Sequence, residues 1–325
     1  MSGRHIKIIS VGAAVQDVFL SHSEEFKPVS DVSTHEQFMR LELGAKADVN
    51  NITFSTGGGA TNAAVTFARQ GLDAVFMGVL GHDPAGRAII DVLDHEGVDT
   101  SHLSFNHKYN TGYSVLLLAP NGERTILTYR GASTHYHAGD FRVKGVEADW
   151  LYVSTLSGEF DILHTLFTEA RKQGIKIMFN PGKSELLHPN KLRSLLEDVE
   201  VLCVNKDEAS MLVEGETLEE LVRHLHHFVP IAIVSDGPNG VVASDKTTIV
   251  RAGMYQDVRV VDRTGAGDAF GSGFLSQWVQ GKNIAECIIF ASANSTSVVN
   301  HIGAKTGILA KGTMLHHMPL HEKPY

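Results

Sequence analysis

Short apolar runs alternate with longer segments of helical periodicity along most of the chain from about residue 57 onward. Trp150–Ser154 precedes the amphipathic segment Phe160–Gln173, and Val201–Asn205 precedes Thr217–Phe228. Runs rich in valine and isoleucine are typical of strands in a parallel sheet that helices cover on both faces. The pattern therefore predicts an α/β fold with a mostly parallel sheet, in which ligands bind beyond the carboxyl ends of the strands.

Two segments interrupt this alternation, residues 16–54 and residues 111–130. Neither carries a long helical pattern, and the second contains the turn sequence Pro-Asn-Gly-Glu, a strong hairpin signal. Their strand-like pieces are Phe38–Leu43, Asn51–Phe54, Gly112–Leu118 and Arg124–Tyr129. We expect a small β-rich lid inserted into the α/β core, because a lid keeps water away from a reactive phosphate. Surface decoration without a function is the alternative.

Composition narrows the classes of partner. The chain has 325 residues, of which 43% are hydrophobic and 20% charged, so it can build a large core. Its 28 basic and 37 acidic residues give a net charge of −9, and no run of lysine and arginine stands out. A nucleic-acid partner is therefore disfavoured. A small anion can still bind, because a local nest of backbone N–H groups attracts it even on an acidic protein.

Three features of the sequence bear on where in the cell the protein is located. No apolar run approaches the roughly 18 residues of a membrane-spanning helix, and no leader pattern precedes the first strand-like run, Ile6–Val11. Cys203 and Cys287 both lie in apolar segments, which favours two reduced, buried thiols. We therefore expect a cytoplasmic protein with no membrane partner.

Residues 262–274 carry the strongest chemical signal, with the sequence Asp-Arg-Thr-Gly-Ala-Gly-Asp-Ala-Phe-Gly-Ser-Gly-Phe. Two glycines allow a tight turn before a helix-like run, and the unpaired N–H groups at a helix start attract an anion such as phosphate. Asp268 would then stand where a base can take a proton from an attacking hydroxyl. A simple helix cap is the alternative role for Asp268. The combination indicates phosphoryl transfer from ATP.

A second glycine loop leads into a predicted helix at residues 57–71. Glycines let the backbone approach a polyhydroxy ligand closely, and Asn62 can both donate to and accept from neighbouring hydroxyls. The spacing matches neither the dinucleotide-binding fingerprint nor a Walker loop. The segment therefore predicts a site for a small polar substrate.

Taken in order, these motifs resemble those of the ribokinase-like, or PfkB, family of sugar and nucleoside kinases. The two glycine segments match the two signatures of that family. Between them lie further matching motifs: Gly81-x-Asp83-x-x-Gly86, Gly97-Val98-Asp99, Asn121-Gly122-Glu123-Arg124-Thr125, Asn205-x-x-Glu208 and Ser-Asp-Gly-x-x-Gly at 235–240. The resemblance implies a three-layer α/β/α core with a mostly parallel sheet, and a β-rich lid formed by about 16–54 and 111–130.

The resemblance also implies roles for individual residues. It makes Asp268 the catalytic base and forms an anion hole from the amides of Gly265, Ala266 and Gly267. It places substrate hydroxyls at Asp17, Gly58 and Asn62. It places the nucleotide at Asn205, Ser235, Gly237, Gly240 and Ser292. Mg²⁺ is implied beside Asn205 and Glu208 through water, and a monovalent cation such as K⁺ beside Asp262 and Thr264. A turn cap at Asp17 and a helix-dipole role for Glu208 are the structural alternatives.

The leading expectation is an ATP-dependent kinase that phosphorylates a hydroxymethyl group of a sugar. A nucleoside kinase of the adenosine type is the first alternative, with an apolar slot lined by Phe38, Leu41 or Leu116. A non-catalytic sugar-binding sensor is an alternative of another class, although the intact motif around Asp268 argues against it. We expect a homodimer, because an exposed lid edge needs cover.

Several points stay open at the level of sequence. The acceptor is undetermined, and Lys183 is either a cation for an anionic substrate or a solvated loop lysine. Six histidines lie in two groups for which a metal site is disfavoured: His224, His226, His227, His316, His317 and His321.

Overall fold

The computed structural model describes residues 5–31, 36–121, 123–253, 255, 258 and 260–325. Its strands are β1 (Lys7–Val11), β2 (Val15–Ser21), β3 (Val29–Ser30), β4 (Gln37–Phe38), β5 (Asn51–Gly57), β6 (Asp73–Met77), β7 (Val79–Gly81), β8 (Ser104–Asn106), β9 (Gly112–Leu118), β10 (Arg124–Tyr129), β11 (Trp150–Val153), β12 (Lys176–Phe179), β13 (Val201–Asn205), β14 (Ile231–Ser235), β15 (Val241–Ser244), β16 (Thr248–Ala252) and β17 (Leu320–Pro324). Its α-helices are α1 (Gly59–Arg69), α2 (Pro84–His95), α3 (Phe160–Lys172), α4 (Lys183–Leu186), α5 (Pro189–Leu195), α6 (Lys206–Leu212), α7 (Leu218–Leu225), α8 (Ala266–Trp278) and α9 (Ile284–Val299).

A nine-stranded sheet forms the centre of the fold, in the order β17-β16-β15-β14-β13-β12-β11-β1-β6. The strands from β6 to β14 in that order run parallel to one another. The three strands at the other edge, β15 to β17, are antiparallel. The predicted α/β class with a mostly parallel sheet is therefore confirmed.

Helices cover both faces of this sheet and produce two hydrophobic cores. Neighbouring residues of a strand point to opposite faces, so Ile9 and Leu151 belong to one core while Ile8 and Tyr152 belong to the other. The first core includes side chains of α3, α5, α6 and α7, and the second includes side chains of α1, α2, α8 and α9. The three-layer α/β/α arrangement follows from this alternation.

A second sheet of four strands lies outside the main one, in the order β10-β9-β2-β5. We call it the small sheet. Strand β2 pairs with β5 in antiparallel and with β9 in parallel orientation, and β9 and β10 form an antiparallel hairpin. The hairpin strands have the predicted bounds; Gly122 of its turn and residues 32–35 of the first predicted lid segment lie outside the described residues.

The strand predicted over Phe38–Leu43 is wrong beyond its first residue. Only Gln37–Phe38 forms strand, paired with Val29–Ser30. Leu43 shows the physical reason, because its side chain is 99% exposed. Among the residues that the structure describes, none forms a strand beside this segment beyond Phe38.

Within the described residues, none of the helices is long and apolar enough to cross a membrane. Cys203 and Cys287 are both buried and carry free thiols.

Candidate active site

Helix α8 begins at a turn that its neighbouring loops hold in place. The Asp262 carboxylate accepts hydrogen bonds from the backbone N–H and hydroxyl of Thr264 at 3.0 and 2.7 Å, and from the N–H of Gly303 at 3.1 Å. Gly265 caps the helix with φ of +78°, and a Cβ there would lie 2.4 Å from the Cβ of Ala304. The two loops therefore meet at a position that only glycine fits.

The amides predicted to form the anion hole lie at the start of α8. The N–H of Ala266 makes only a long, 3.4 Å hydrogen bond to the carbonyl of Arg263, and the N–H of Ala269 bonds to Gly265 at 2.8 Å. The first N–H groups of a helix have no intrahelical acceptor, so they are available to an anion. No atom lies within 4 Å of the Cβ position at Gly267, which leaves the backbone open on that side.

Asp268 lies in the first turn of α8 and contacts the start of α1. The side-chain N–H of Asn62 donates to its Oδ2 at 2.8 Å. A Cβ at Gly59 would lie 3.0 Å from its Oδ1, so the glycine lets the two helix starts approach closely. Burial raises the pKa of the Asp268 carboxyl above its usual value, and the hydrogen bond from Asn62 and the charge of Lys305 oppose that rise. Asp268 is half-buried. The predicted catalytic base, Asp268, therefore faces Asn62, the amide predicted to bind substrate.

Asp17 on β2 is the second carboxylate of this region and is only 5% exposed. Burial raises its pKa to about 6, against the effects of a hydrogen bond from Ser114 and the charge of Lys305. A Cβ at Gly57 would lie 2.2 Å from its Oδ2, so the glycine loop packs directly on the acid. The predicted substrate acid therefore adjoins the predicted substrate loop.

Gly58 has a clear structural need for glycine. Its φ is +99°, and a Cβ would lie 2.3 Å from the carbonyl oxygen of Ala13. This close approach lets α1 begin directly after β5, beside Asp17 and Asn62. A direct contact between Gly58 and substrate stays a prediction.

Lys305 is the residue of this region that the sequence reasoning missed. It follows the Gly303–Ala304 turn, is only 5% exposed, and its Nζ donates to the carbonyl of Thr56, the hydroxyl of Thr61 and the Oδ1 of Asn62 at 2.7, 2.9 and 2.8 Å. Burial lowers its pKa to about 7, while the charges of Asp17 and Asp268 oppose that fall. A lysine among small residues near the end of the chain gave no local signal for this position.

Four of the five predicted nucleotide residues line one cleft beside Asp268, and Asn205 does not. Ser235, Gly237, Gly240 and Ser292 line it, together with Ala266 and Gly267 of the predicted anion hole. The rest of the lining is largely apolar and includes Pro238, Val241, Phe270 and Val299, with Arg263, Ser295 and Thr296 as polar members. A largely apolar cleft that includes the start of α8 can accept an anionic ligand at the free N–H groups of that helix.

Asn205 and Glu208 form a reciprocal capping box at the start of α6. The N–H of Glu208 donates to the Asn205 side chain at 2.9 Å, and the N–H of Asn205 donates to the Glu208 carboxylate at 2.8 Å. Neither residue lines the cleft, but Asn205 pairs with Ser235 across β13 and β14, which places the box next to it. Burial raises the pKa of Glu208. The helix-cap role is therefore present, and the role toward Mg²⁺ stays a prediction.

Other candidate residues lie apart from these contacts. Lys183 is the exposed first residue of α4. Two residues after it, the buried Glu185 accepts hydrogen bonds from the hydroxyl of Thr155 and from backbone N–H groups of residues 156, 158 and 182, so it fixes the loops that follow β11 and β12. The rings of His224, His226 and His227 contact backbone carbonyls. In the part of the chain that the structure describes, no three His, Cys, Asp or Glu side chains are grouped to hold a metal.

A carboxylate at a glycine-framed helix start, next to a cleft and a buried second acid, is an arrangement that suits phosphoryl transfer to a hydroxyl group. The chain belongs to the pfkB family of carbohydrate kinases, whose model matches residues 32–311. The resemblance seen in the motifs is thereby confirmed. Kinases of this family are phosphotransferases that act on sugar hydroxyl groups and use ATP with Mg²⁺.

Individual relatives show how broad the family is. The chain is 26% identical to a ribokinase of Haemophilus influenzae over 270 residues, which is 79% of this chain and 85% of that protein. Its fold is similar to that of a nucleoside kinase of Methanocaldococcus jannaschii, with a TM-score of 0.74, 20% identity and coverage of 94% and 96% of the two chains. It is also similar to a ribokinase of Cryptococcus neoformans in complex with ADP, with a TM-score of 0.72, 21% identity and coverage of 94% and 97%.

Proposed function

We propose that this protein is an ATP-dependent kinase that phosphorylates a hydroxymethyl group of a sugar, with Asp268 as the general base. The observation that carries the proposal is the contact between Asp268 and Asn62 at the start of α8, directly beside the cleft. It joins the two glycine segments of the sequence into one site. A carboxylate whose pKa lies above its usual value is a better proton acceptor for an alcohol than an ordinary surface acid.

The reaction follows from this arrangement. The acceptor hydroxyl lies between Asp17, Asn62 and Asp268, and its oxygen attacks the γ-phosphorus of ATP. A new O–P bond forms, the bond from phosphorus to the bridging oxygen of ADP breaks, and the hydroxyl proton passes to Asp268. The amides of Gly265, Ala266 and Gly267 stabilise the negative charge that spreads over the transferring group. Positioning and fixed dipoles supply most of the acceleration.

Two cations complete the proposal. Mg²⁺ neutralises the phosphates when it is bound, and the oxygen atoms of Asn205 and Glu208 next to the cleft fit a hard cation that keeps much of its water. A monovalent cation such as K⁺ would be held beside Asp262 and Thr264, whose carboxylate and hydroxyl oxygens are the kind of ligand that such a cation takes. Thr264 and Gly303 already donate hydrogen bonds to Asp262. The cation would therefore have a structural role, at the base of the anion hole.

The acceptor is a small sugar in this proposal, since two buried carboxylates and an amide suit several neighbouring hydroxyls. The ribokinase similarity supports a sugar, while the nucleoside kinase with the same fold keeps the nucleoside alternative open. Phe38 and Leu41, suggested for an apolar base slot, are exposed, whereas Leu116 is buried. A cytoplasmic location fits the need for ATP and the two free thiols.

The small sheet acts as the lid, and we propose that it also joins two subunits. Paired residues of neighbouring strands lie on one face, so Phe54, Val18, Val115 and Leu127 form an apolar row across all four strands. The row lies on the face opposite to Asp17, which alternates with Val18 along β2. Phe54 and Leu127 are 64% and 57% exposed. An apolar face of this kind is suited to a second copy of the chain.

The test is ADP release across a panel of pentoses, hexoses, their phosphates and nucleosides, with and without Mg²⁺. Turnover of one class of acceptor above the rate of ATP hydrolysis is the expected result, and chelation of Mg²⁺ should abolish it. Turnover confined to nucleosides would replace the sugar by the first alternative. Tight binding of a sugar with no ADP release from any acceptor would contradict the proposal and favour a sensor.

A further inference from the structure

Lys305 is held in one position by contacts on every side. Its three N–H bonds go to Thr56 on β5 and to Thr61 and Asn62 in the first turn of α1. The guanidinium of Arg69 donates to the carbonyl of Lys305 at 3.0 Å, which fixes the backbone that carries the lysine. An ammonium group has three donors, so none is left for a substrate. Lys305 therefore contacts the groups that surround the acceptor site rather than the acceptor.

The contact with Asn62 determines which way the amide faces. The Oδ1 of Asn62 accepts from Lys305 at 2.8 Å, and its Nδ2 donates to Asp268 at 2.8 Å. An ammonium can only donate and a carboxylate can only accept. A flipped amide would place N–H against N–H at one end and oxygen against oxygen at the other. Lys305 thus keeps the donor end of Asn62 directed at Asp268.

The charge of Lys305 has a second effect on the site. Loss of water disfavours the ionised form of both Asp17 and Asp268, and the charge of Lys305 acts on both carboxylates. The other charged groups that act on Lys305 are Glu96 and Arg69, which form an ion pair with one another at 2.6 Å. That pair largely cancels itself, so Lys305 is left as the cation that compensates the two acids.

We propose that Lys305 is a positioning residue of the reaction: it fixes the orientation of the Asn62 amide and holds Asp268 in its ionised form without touching the substrate. This inference rests on the proposed function, because it assigns the lysine to the same proton transfer. It adds a residue from the last part of the chain to a site formed by the two glycine segments.

The first experiment compares Lys305→Met with the wild type, and uses Lys311→Met as the control. Lys311 lies in the same segment and is exposed. For Lys305→Met, kcat should fall by about 10- to 100-fold, as expected for a misplaced catalytic constellation, while KM for ATP stays within about twofold. The acid limb of the kcat profile should move to higher pH by about one unit, because an acid without its neighbouring cation protonates more easily.

The pH profile separates a charge effect from a packing effect. Burial lowers the pKa of Lys305 to about 7, so the lysine of the wild type loses its own charge at alkaline pH. The difference between wild type and Lys305→Met should therefore be largest at acidic pH and narrow above about pH 7. A loss of activity that is the same at every pH would show a merely structural lysine and overturn the proposal. So would an unchanged kcat with an unmoved acid limb.

A second measurement probes the wild type and does not need activity. Asparagine is labelled with ¹⁵N, and the Asn62 side-chain amide is assigned by its absence from Asn62→Asp. Its hydrogens should exchange much more slowly than those of Asn239, whose amide is exposed. Exchange of Asn62 at the rate of an exposed amide would overturn the positioning role. A wild type that phosphorylates no acceptor would instead refute the proposed function, whatever the state of Asn62.

Discussion

At the scale of single residues, the proposal depends most on Asp268. Asp268→Asn keeps the size of the side chain and removes the base. Turnover should fall by at least about 10²- to 10⁴-fold, the usual contribution of a general base, with little change in ATP affinity. Single-turnover kinetics and nucleotide titration measure the two quantities separately.

Asp207→Asn is the matched control, because Asp207 is an exposed acid in the first turn of α6. It should leave turnover unchanged. Near-normal turnover of Asp268→Asn would remove Asp268 as the base, and equal losses of turnover and ATP affinity would assign it to nucleotide binding.

Asp17 gives a prediction for stability against pH. Its pKa is raised from 3.8 unfolded to about 6 folded, so the folded state binds more protons between these values. The free energy of unfolding of the wild type therefore falls as pH rises through that window. Asp17→Asn removes this loss and should be more stable than the wild type by about 1–3 kcal/mol at pH 7, with a smaller difference at pH 4.

Urea unfolding at the two pH values measures this difference. The pKa of about 6 already includes the charge of Lys305, which lowers it, so the expected gain in stability is a net value. Asp91→Asn, which alters an exposed acid on α2, should show no such dependence. A variant at position 17 that is less stable than the wild type at pH 7 would contradict a burial cost at Asp17. Acceptor binding should weaken in Asp17→Asn and stay unchanged in Asp91→Asn.

Some residues of the candidate site belong to short sequence motifs, and others do not. Asp268, Asn62 and the cleft residues could be found because glycines and polar side chains lie together in short motifs. Lys305 could not, since it contacts Asn62 across 243 positions of sequence and lysine is normally exposed. Glu185 was missed for the same reason: a carboxylate that binds backbone N–H groups leaves no pattern in the sequence.

At the scale of elements, the two glycines at the start of α8 have different roles. Gly265 forms the turn before the helix, and Gly267 lines the cleft. Gly265→Ala should lower the free energy of unfolding by about 1–3 kcal/mol, because alanine at φ of +78° is strained and its Cβ meets Ala304. It should also weaken ATP binding by disturbing the amides. Thermal unfolding with and without nucleotide measures both effects.

Gly267→Ala is the matched control two residues later. Its Cβ has open space around it and lies within the helix, where alanine is favoured over glycine by about 0.5–1 kcal/mol. Stability should therefore be kept or raised, while nucleotide affinity falls because Gly267 lines the cleft. If Gly265→Ala were as stable as Gly267→Ala, the described turn at the start of α8 would be wrong.

Elements of the central layers were predictable because burial imposes a period on the sequence. Strands β11, β13 and β14 are continuous apolar runs, and α3 and α7 are amphipathic, so each follows from its pattern. The edge of the sheet is different. Strand β17 reads Leu-His-Glu-Lys-Pro and is mostly exposed, so only its pairing with β16 makes it a strand. Its place depends on a partner more than 60 positions away.

At the scale of the whole molecule, sequence and fold predict the type of reaction more closely than they predict the substrate or the oligomeric state. The proposed anion hole consists of backbone amides, which any chain with this turn presents in the same way. Recognition of the acceptor depends on side chains, and the chain shares only about a quarter of its residues with a relative such as the ribokinase of Haemophilus influenzae. Subunit contacts depend on surface residues, which the core does not constrain. The apolar row of the small sheet is therefore the best available guide to assembly.

The last prediction concerns that row. If two subunits pack through their small sheets, Phe54→Glu combined with Leu127→Glu should convert a dimer to a monomer, because buried unpaired carboxylates weaken such an interface by several kcal/mol. Analytical ultracentrifugation at micromolar concentration measures this. Leu187→Glu, at an exposed leucine outside the small sheet, should leave the dimer intact. A wild type that is monomeric, or a dimer that the double variant does not weaken, would contradict this interface. The monomeric variant should keep Asp268 and the cleft but lose acceptor affinity, since a lid without its partner closes less firmly over the site.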